Sequence, residues 1–263
     1  VMIVLMMQSW RPHIMDQQSK VTEVAKQNYE ESTPWPEHDP WHDQTHAAIQ
    51  RQVEQWLAKY TSAGMQILNA GSGGTEYKTP GDIIHMDIVE RYISKFERHL
   101  VGSIENIPLP DASIDGIICV GSVINYTDAQ QSIAEFSRTL KAGGFLILEY
   151  ERSNSAEFLW TPEYKKYLFS KSYDYNGQTH LLWMYSENHI RQMLNHYHFS
   201  IQRQRRFHSL SSLLYRIGVP ERDAARFAKY DRIFQPISNP IAHNQILLAF
   251  KNIIPECNDR NQS

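Results

Sequence analysis

The chain is poor in several things at once. It has two cysteines in 263 residues, Cys119 and Cys257, with no CxxC pair and no Cys/His zinc spacing. That excludes a disulfide-built or zinc-ribbon fold and fits a reducing cytoplasmic setting. Long apolar runs are missing too. The longest, Val1 to Met7, falls far short of the roughly 20 residues that span a bilayer, and it lacks the basic flank and cleavage site of a signal peptide. No membrane partner is expected. Charge of one sign is also absent: 26 Lys+Arg against 29 Asp+Glu leaves −3, which argues against a surface built as a whole for nucleic acid. There is no internal repeat or low-complexity tract. What is present is ordinary globular composition, 41% hydrophobic and 21% charged, enough to bury a core.

Residues 8–38, polar and broken by Pro34 and Pro36, read as an irregular arm. A helix then starts at Asp39 as N-cap with Pro40 behind it, and Trp41, Thr45, Ile49, Val53, Trp56 and Tyr60 recur at helical spacing. From Met65 the pattern changes. Short apolar runs at Met65–Ala70, Asp82–Asp87, Gly116–Val120 and Gly144–Tyr150 read as strands buried on both faces, with a helix at Ala129–Leu140. Alternating strand and helix implies right-handed crossovers and a parallel sheet. Further on, Ser186–Asn195 reads as a helix and His198–Phe207 and Gln245–Asn252 as strands. The expected organisation is an arm and cap helix over 1–60, one α/β domain over 61–252 with a helical insert at about 209–236, and a tail over 253–263.

The most informative stretch is Ile67-Leu68-Asn69-Ala70-Gly71-Ser72-Gly73-Gly74-Thr75, a strand running into a glycine turn. Glycines there allow positive φ and close approach of a ligand to the backbone. A second strand ends in Asp87, and an acid at that tip can accept both hydroxyls of a ribose. An adenosine-bearing ligand follows, although a tight ligand-free connection has the same glycines. The dinucleotide fingerprint is incomplete, because its third glycine falls on Glu76, whose carboxylate would repel a pyrophosphate.

Downstream, Gly102-Ser103-Ile104-Glu105-Asn106-Ile107-Pro108-Leu109-Pro110-Asp111-Ala112-Ser113-Ile114-Asp115 leads into one strand, and Leu140-Lys141-Ala142-Gly143-Gly144 into the next. With the glycine turn, this ordered series over about 65–150 resembles the class I S-adenosylmethionine-dependent methyltransferases of the type 11-like group. The resemblance implies a doubly wound, mostly parallel, seven-stranded Rossmann-like α/β sheet, with a helical N-terminal arm and a helical insert before the last strand. It implies S-adenosyl-L-methionine as cofactor and S-adenosyl-L-homocysteine as product. Residue by residue, it would put Gly71 and Gly73 under the methionine part, Asp87 on the ribose, Ile88 on the adenine and Ser103 and Ile104 at its edge, with Asn69, Ser72 and Glu105 also among the cofactor-binding residues. Cys119, Val120 and Gly121 would face the methyl group, Cys119 reading equally as a small core residue. Asn69 stands where that family usually has an acid, Thr75 where many members have glycine, and Thr75–Gly81 leaves room for barely one helical turn.

The resemblance implies a methyltransferase acting on a small-molecule acceptor; RNA or protein acceptors, or a module that binds the cofactor without transfer, are the alternatives. Acceptor-side candidates are Tyr29, Trp35, His38, Trp41, His42 and His46 around the first helix start, and Ser122, Asn125 and Tyr126 after the fourth strand. His42 and His46 share a helix face, but no third ligand is identifiable and no metal is expected. Glu149, Tyr150, Glu151 and Arg152 read as a solvated loop or as polar groups meeting substrate. Arg203, Arg205 and Arg206 could meet RNA or an anionic small substrate, or simply protect an exposed sheet edge.

Overall fold

The computed structural model describes residues 21–31, 39–175, 178–231 and 239–253. Trp35, His38, Cys257 and the run Val1–Met7 lie outside them. Seven strands, β1 (Gln66–Ala70), β2 (Asp82–Asp87), β3 (His99–Val101), β4 (Ile114–Cys119), β5 (Leu140–Glu151), β8 (Phe199–Phe207) and β9 (Asn244–Lys251), form one sheet in the order β3-β2-β1-β4-β5-β9-β8. β1 to β5 pair in parallel and β9 runs antiparallel to both β5 and β8. Strand order reverses between β1 and β4, the place where sheets of this kind leave a crevice at their carboxyl ends.

Alternation of side chains divides the core. Leu68, Ile117, Cys119, Leu146, Leu148 and Leu247 pack on one face with α4 (Ala129–Thr139) and α5 (Glu187–His196). Ile67, Ile118, Val120, Phe145, Ile147 and Ile246 pack on the other with α2 (Pro40–Tyr60). α2 begins as the sequence indicates: the Asp39 carboxylate accepts from the Trp41 backbone N–H at 2.8 Å, and Thr45, Ile49, Val53 and Trp56 bury one stripe. No helix forms between β1 and β2. α2 covers that face instead: Tyr77 packs into its apolar cluster, and the Gln50 side chain donates to Glu76 O at 3.0 Å.

One expectation needs correction, and one pair of strands has no counterpart in the sequence reading. Residues 21–31 are not irregular but helical (α1), with Val21 and Ala25 buried; the polar composition concealed a narrow stripe. The aromatic stretch after Phe158 contains an antiparallel pair, β6 (Leu168–Tyr175) and β7 (Gln178–Tyr185), forming a separate small sheet. Between β8 and β9 lie α6 (Leu210–Arg216) and α7 (Glu221–Ala225), the start of the expected helical insert. Among the described residues no helix is long and apolar enough to cross a membrane.

Candidate active site

The glycine turn and the acid of β2 meet at one edge of the sheet. Gly71 N and Ser72 N both donate to Met86 O at 2.9 Å, and Gly73 N donates to Asp87 Oδ2 at 2.8 Å. Gly71 has φ +71°, and a Cβ there would lie 2.5 Å from Val123 Cγ1. Only glycine allows the loop after β1 to come this close to the one after β4. Asn69 Nδ2 donates to Ser72 Oγ at 3.1 Å and to Thr75 O at 3.0 Å, spanning the turn. A carboxylate could donate neither bond, so the amide has a structural reason at this place. Ser72 Oγ also shares a hydrogen bond with His85 Nδ1 at 2.8 Å. His85 stacks on Phe96 at 3.5 Å, and burial pushes its pKa down to about 4, so the imidazole is neutral at physiological pH.

Asp87 is 8% exposed. Its second oxygen accepts from Val89 N at 3.0 Å, and burial raises its pKa against these backbone bonds. Asp87 opens onto a cavity walled by Asn69, Gly71, Ser72 and Gly73 on one side, Ile88, Ser103 and Ile104 on a second, and Val120, Gly121 and Tyr126 on a third. α1 lies across it and adds Thr22, Ala25 and Tyr29. Thr22 Oγ1 donates to Tyr126 O at 3.0 Å, and Arg91 donates to Tyr29 O at 2.7 Å. Thr22, Ala25, Tyr77, Tyr92, Val123 and Thr127 line the cavity without having been singled out in the sequence. For α1 a signal existed: positions 21, 25 and 29 recur at four-residue spacing.

Two expected cofactor residues lie elsewhere. Cys119 is fully buried among the α4 and α5 side of the core, because strand alternation turns it away from Val120 and the α2 face; burial drives its thiol pKa far up. Glu105 lies on an outer groove and accepts from Asp128 N at 2.8 Å, tying its loop to the start of α4.

The acceptor-side candidates also separate. The Tyr29 and Tyr126 hydroxyls are 3.2 Å apart and His180 meets both rings edge-on. Burial pushes the Tyr29 phenol up to about 12, with Tyr126 opposing and Glu151 reinforcing. His42, His46, Ser122 and Asn125 do not line this cavity. His42 Nδ1 lies 2.8 Å from Asp39 Oδ2. His46 is half-buried, which lowers its pKa. Ser122, at φ +57°, donates to Glu151 Oε1 at 3.0 Å. Asn125 is fully buried and donates to Glu151 O at 3.1 Å and to Trp183 O at 2.6 Å. Among the described residues no group of three or more His, Cys, Asp or Glu could hold a metal ion.

The end of β5 is no solvated loop. Glu149 and Tyr150 are fully buried and Arg152 is 2% exposed. Glu149 accepts from Gly121 N at 3.0 Å, Ser122 N at 2.7 Å and Asn244 Nδ2 at 2.8 Å, and burial pushes its pKa up to about 7. Two of the three β8 arginines serve the fold, Arg206 pairing with Glu187 at 2.7 Å and Arg205 donating to Gln52 at 3.0 Å, while Arg203 is exposed. Their strand is the sheet's far edge from β2.

Residues 69–148 match the family model described as a methyltransferase domain. No curated protein matches the chain. Among solved structures, the chain is similar to the 1,6-didemethyltoxoflavin-N1-methyltransferase of Burkholderia thailandensis, at 14% identity over 90% of this chain and 91% of that one, with a TM-score of 0.55. It is similar to the [4+2]-cyclase SpnF at 15% identity over 90% and 96%, with a TM-score of 0.53. A SAM-dependent methyltransferase from Methanosarcina mazei is similar at 15% identity over 74% and 96%, with a TM-score of 0.50. At these identities the likeness is one of fold. Residues 69–148 thus match a methyltransferase domain, and the motif order and sheet topology agree with that match.

Proposed function

We propose that the chain transfers the methyl group of S-adenosylmethionine to a small-molecule acceptor. The observation that carries this is the convergence of the glycine turn and Asp87 on one cavity, bonded to each other at 2.8 Å. The residues fit that cofactor. Each Asp87 oxygen takes one backbone N–H, so lone pairs remain for the two hydroxyls of a ribose. Ile88, Ser103 and Ile104 offer a flat apolar edge for a purine, and the exposed backbone at Gly71–Gly73 accommodates the amino-acid end. The sulfonium, when bound, makes its methyl carbon electrophilic, so the protein's work is orientation and exclusion of water. α1 performs both by closing the crevice with Thr22, Ala25 and Tyr29. The same closure favours a small acceptor over a polymer, and the intramolecular pairing of Arg206 and Arg205 removes the main reason to expect RNA. A reducing cytoplasm suits the buried free thiol of Cys119.

A cyclase sharing this fold makes binding alone insufficient evidence of transfer. The test therefore has two readouts. Isothermal titration is expected to show S-adenosylhomocysteine binding. Incubation with methyl-labelled S-adenosylmethionine and a cell extract is expected to label the small-molecule fraction. Label confined to RNA or protein would overturn the acceptor class; binding with no label in any fraction would leave a cofactor-binding module.

A further inference from the structure

Beyond Gly121 the cavity wall is backed by polar groups that holding the cofactor does not require. Glu151 ends β5. Its Oε1 receives Ser122 Oγ at 3.0 Å, its Oε2 lies 3.3 Å from His243 Nε2, and the Asn125 amide holds its backbone on both sides. The other His243 nitrogen lies 3.4 Å from Glu157 Oε2 and 3.0 Å from Ser155 Oγ. Glu157 in turn receives the Tyr173 hydroxyl at 3.1 Å. Carboxylate, imidazole and carboxylate thus stand in line, drawn from β5, the turn before β9 and the turn before β6. Tyr29 from α1 and His42 from the start of α2 bear on Glu151 electrostatically, Glu221 from α7 bears on Glu157 and His243, and His208 just past the end of β8 bears on His243. Carboxyls outnumber imidazoles there, so the surroundings repel an anion and favour a cation.

A second observation points the same way. Asn244 pairs with Glu151 across the sheet and shares its face with Glu151 and Glu149. Its Nδ2 donates to Glu149, while its Oδ1, in a residue 2% exposed, has no hydrogen-bond partner among the described residues. A buried acceptor left unpaired calls for an N–H donor.

Resting on the methyl-transfer reading above, we propose that Glu151 and His243 form the acceptor's end of the site: the acceptor is an amine that enters as its ammonium ion, Glu151 binds it, and the Glu151–His243 couple takes its proton. The ammonium gives one proton to Glu151, which passes it to His243. The freed lone pair on nitrogen forms the new bond to the methyl carbon as the carbon–sulfur bond breaks, its electron pair staying on sulfur. The products are the N-methylated ammonium and a neutral thioether, and His243 returns the proton to solvent. Burial alone would depress His243, yet Glu151, Glu157 and Glu149 lift it above its ordinary value, which makes it the better resting place for the proton; the same pairing holds Glu151 down against burial. His243 is a positioning residue and proton store, acting through Glu151.

The test uses the full chain, methyl-labelled S-adenosylmethionine and a small-molecule extract divided by ion exchange into cationic, neutral and anionic pools. Label is expected from the cationic pool alone, at a rate that rises with pH above 6.5 and then levels. Glu151→Gln should lower that rate about a hundredfold at pH 7, the scale of a lost acid–base group. His243→Asn should lose the plateau, its rate climbing about tenfold per pH unit with the free amine. In both variants S-adenosylhomocysteine affinity, measured by titration, should stay within about twofold, which a misfolded variant would not show. Label from the neutral or anionic pool, label from no pool, or unchanged pH profiles would overturn the proposal. Failure of the unmutated chain to bind S-adenosylhomocysteine would overturn the methyl-transfer reading itself, and this inference with it.

Discussion

Asp87 and Glu149 are built alike and end differently. Asp87 closes β2 and Glu149 lies two residues before the end of β5, and each carboxylate gathers backbone N–H groups from a loop at the sheet's carboxyl edge: Gly73 and Val89 for Asp87, Gly121 and Ser122 for Glu149. Burial raises the pKa of both. The difference is in what remains. Asp87 keeps 8% exposure and lone pairs facing a cavity, whereas Glu149 adds a third partner, Asn244, and is sealed. A buried carboxylate is available to a ligand when its neighbours leave part of it unsatisfied, and becomes a brace when they do not.

That contrast breaks most visibly with pH. Glu149 titrates near 7 in the folded chain, against an ordinary value of 4.5. Between those values the folded state holds a proton that the unfolded state has released, so stability falls as pH rises, by up to about 3 kcal/mol at 1.36 kcal/mol per unit. Urea midpoints for the wild type and Glu149→Gln, taken at pH 5 and pH 8, should show the variant losing much less over that interval. The difference cancels the buried histidines, His85 and His208, which act in both and in the opposite sense below pH 6.5. Equal slopes would mean that Glu149 is not the sealed member of the pair.

Asp87 is sharpened by ligand instead. Asp87→Asn keeps the shape but replaces one carboxylate oxygen by a donor that must face either Gly73 N–H or Val89 N–H. S-adenosylhomocysteine affinity should drop about a hundredfold, the scale of losing charged hydrogen bonds of about 2.7 kcal/mol, with little change in its pH dependence. An unaltered affinity by titration would detach Asp87 from the cofactor.

These two sites also differ in how far they could be read in advance. The Asp87 half is a contiguous loop and a neighbouring strand tip, and backbone geometry dominates it; glycine spacing and strand periodicity announce both. The Glu149 half and the groups beyond it come from α1, α2, β5, β7 and the turn before β9, and neither the hydrogen bond from Asn244 to Glu149 nor the approach of His243 to Glu151 has a local signature. Asn69 stands out for what the family usually places there and Glu105 only as a member of the motif, and the bonds each makes are local: an amide spanning a turn, and a carboxylate tying a loop to α4. The α1 stripe was hidden by its polar neighbours.

Asn125 tests whether residues near the second half brace or bind. Fully buried, it holds both backbone groups of Glu151 and the carbonyl of Trp183. Asn125→Ala should cost about 2 kcal/mol by leaving those groups unpaired, and is measured as a shift in urea midpoint. S-adenosylhomocysteine affinity should change less than about threefold, because the side chain lies off the cavity wall. A large affinity loss with unchanged stability would instead place Asn125 against ligand.

The smallest effect belongs to Cys119. It is one residue from Val120, which lines the cavity, but strand alternation sends its thiol into the Leu68, Ile117 and Leu148 side of the core. Cys119→Ala removes one buried sulfur and should cost about 1 kcal/mol, leaving S-adenosylhomocysteine affinity within about twofold. The native thiol, raised far above its ordinary pKa, should react with iodoacetamide only as fast as the chain unfolds. Fast alkylation of Cys119 in the folded chain, blocked by S-adenosylhomocysteine, would put the sulfur in the cavity and reverse the assignment of faces on β4.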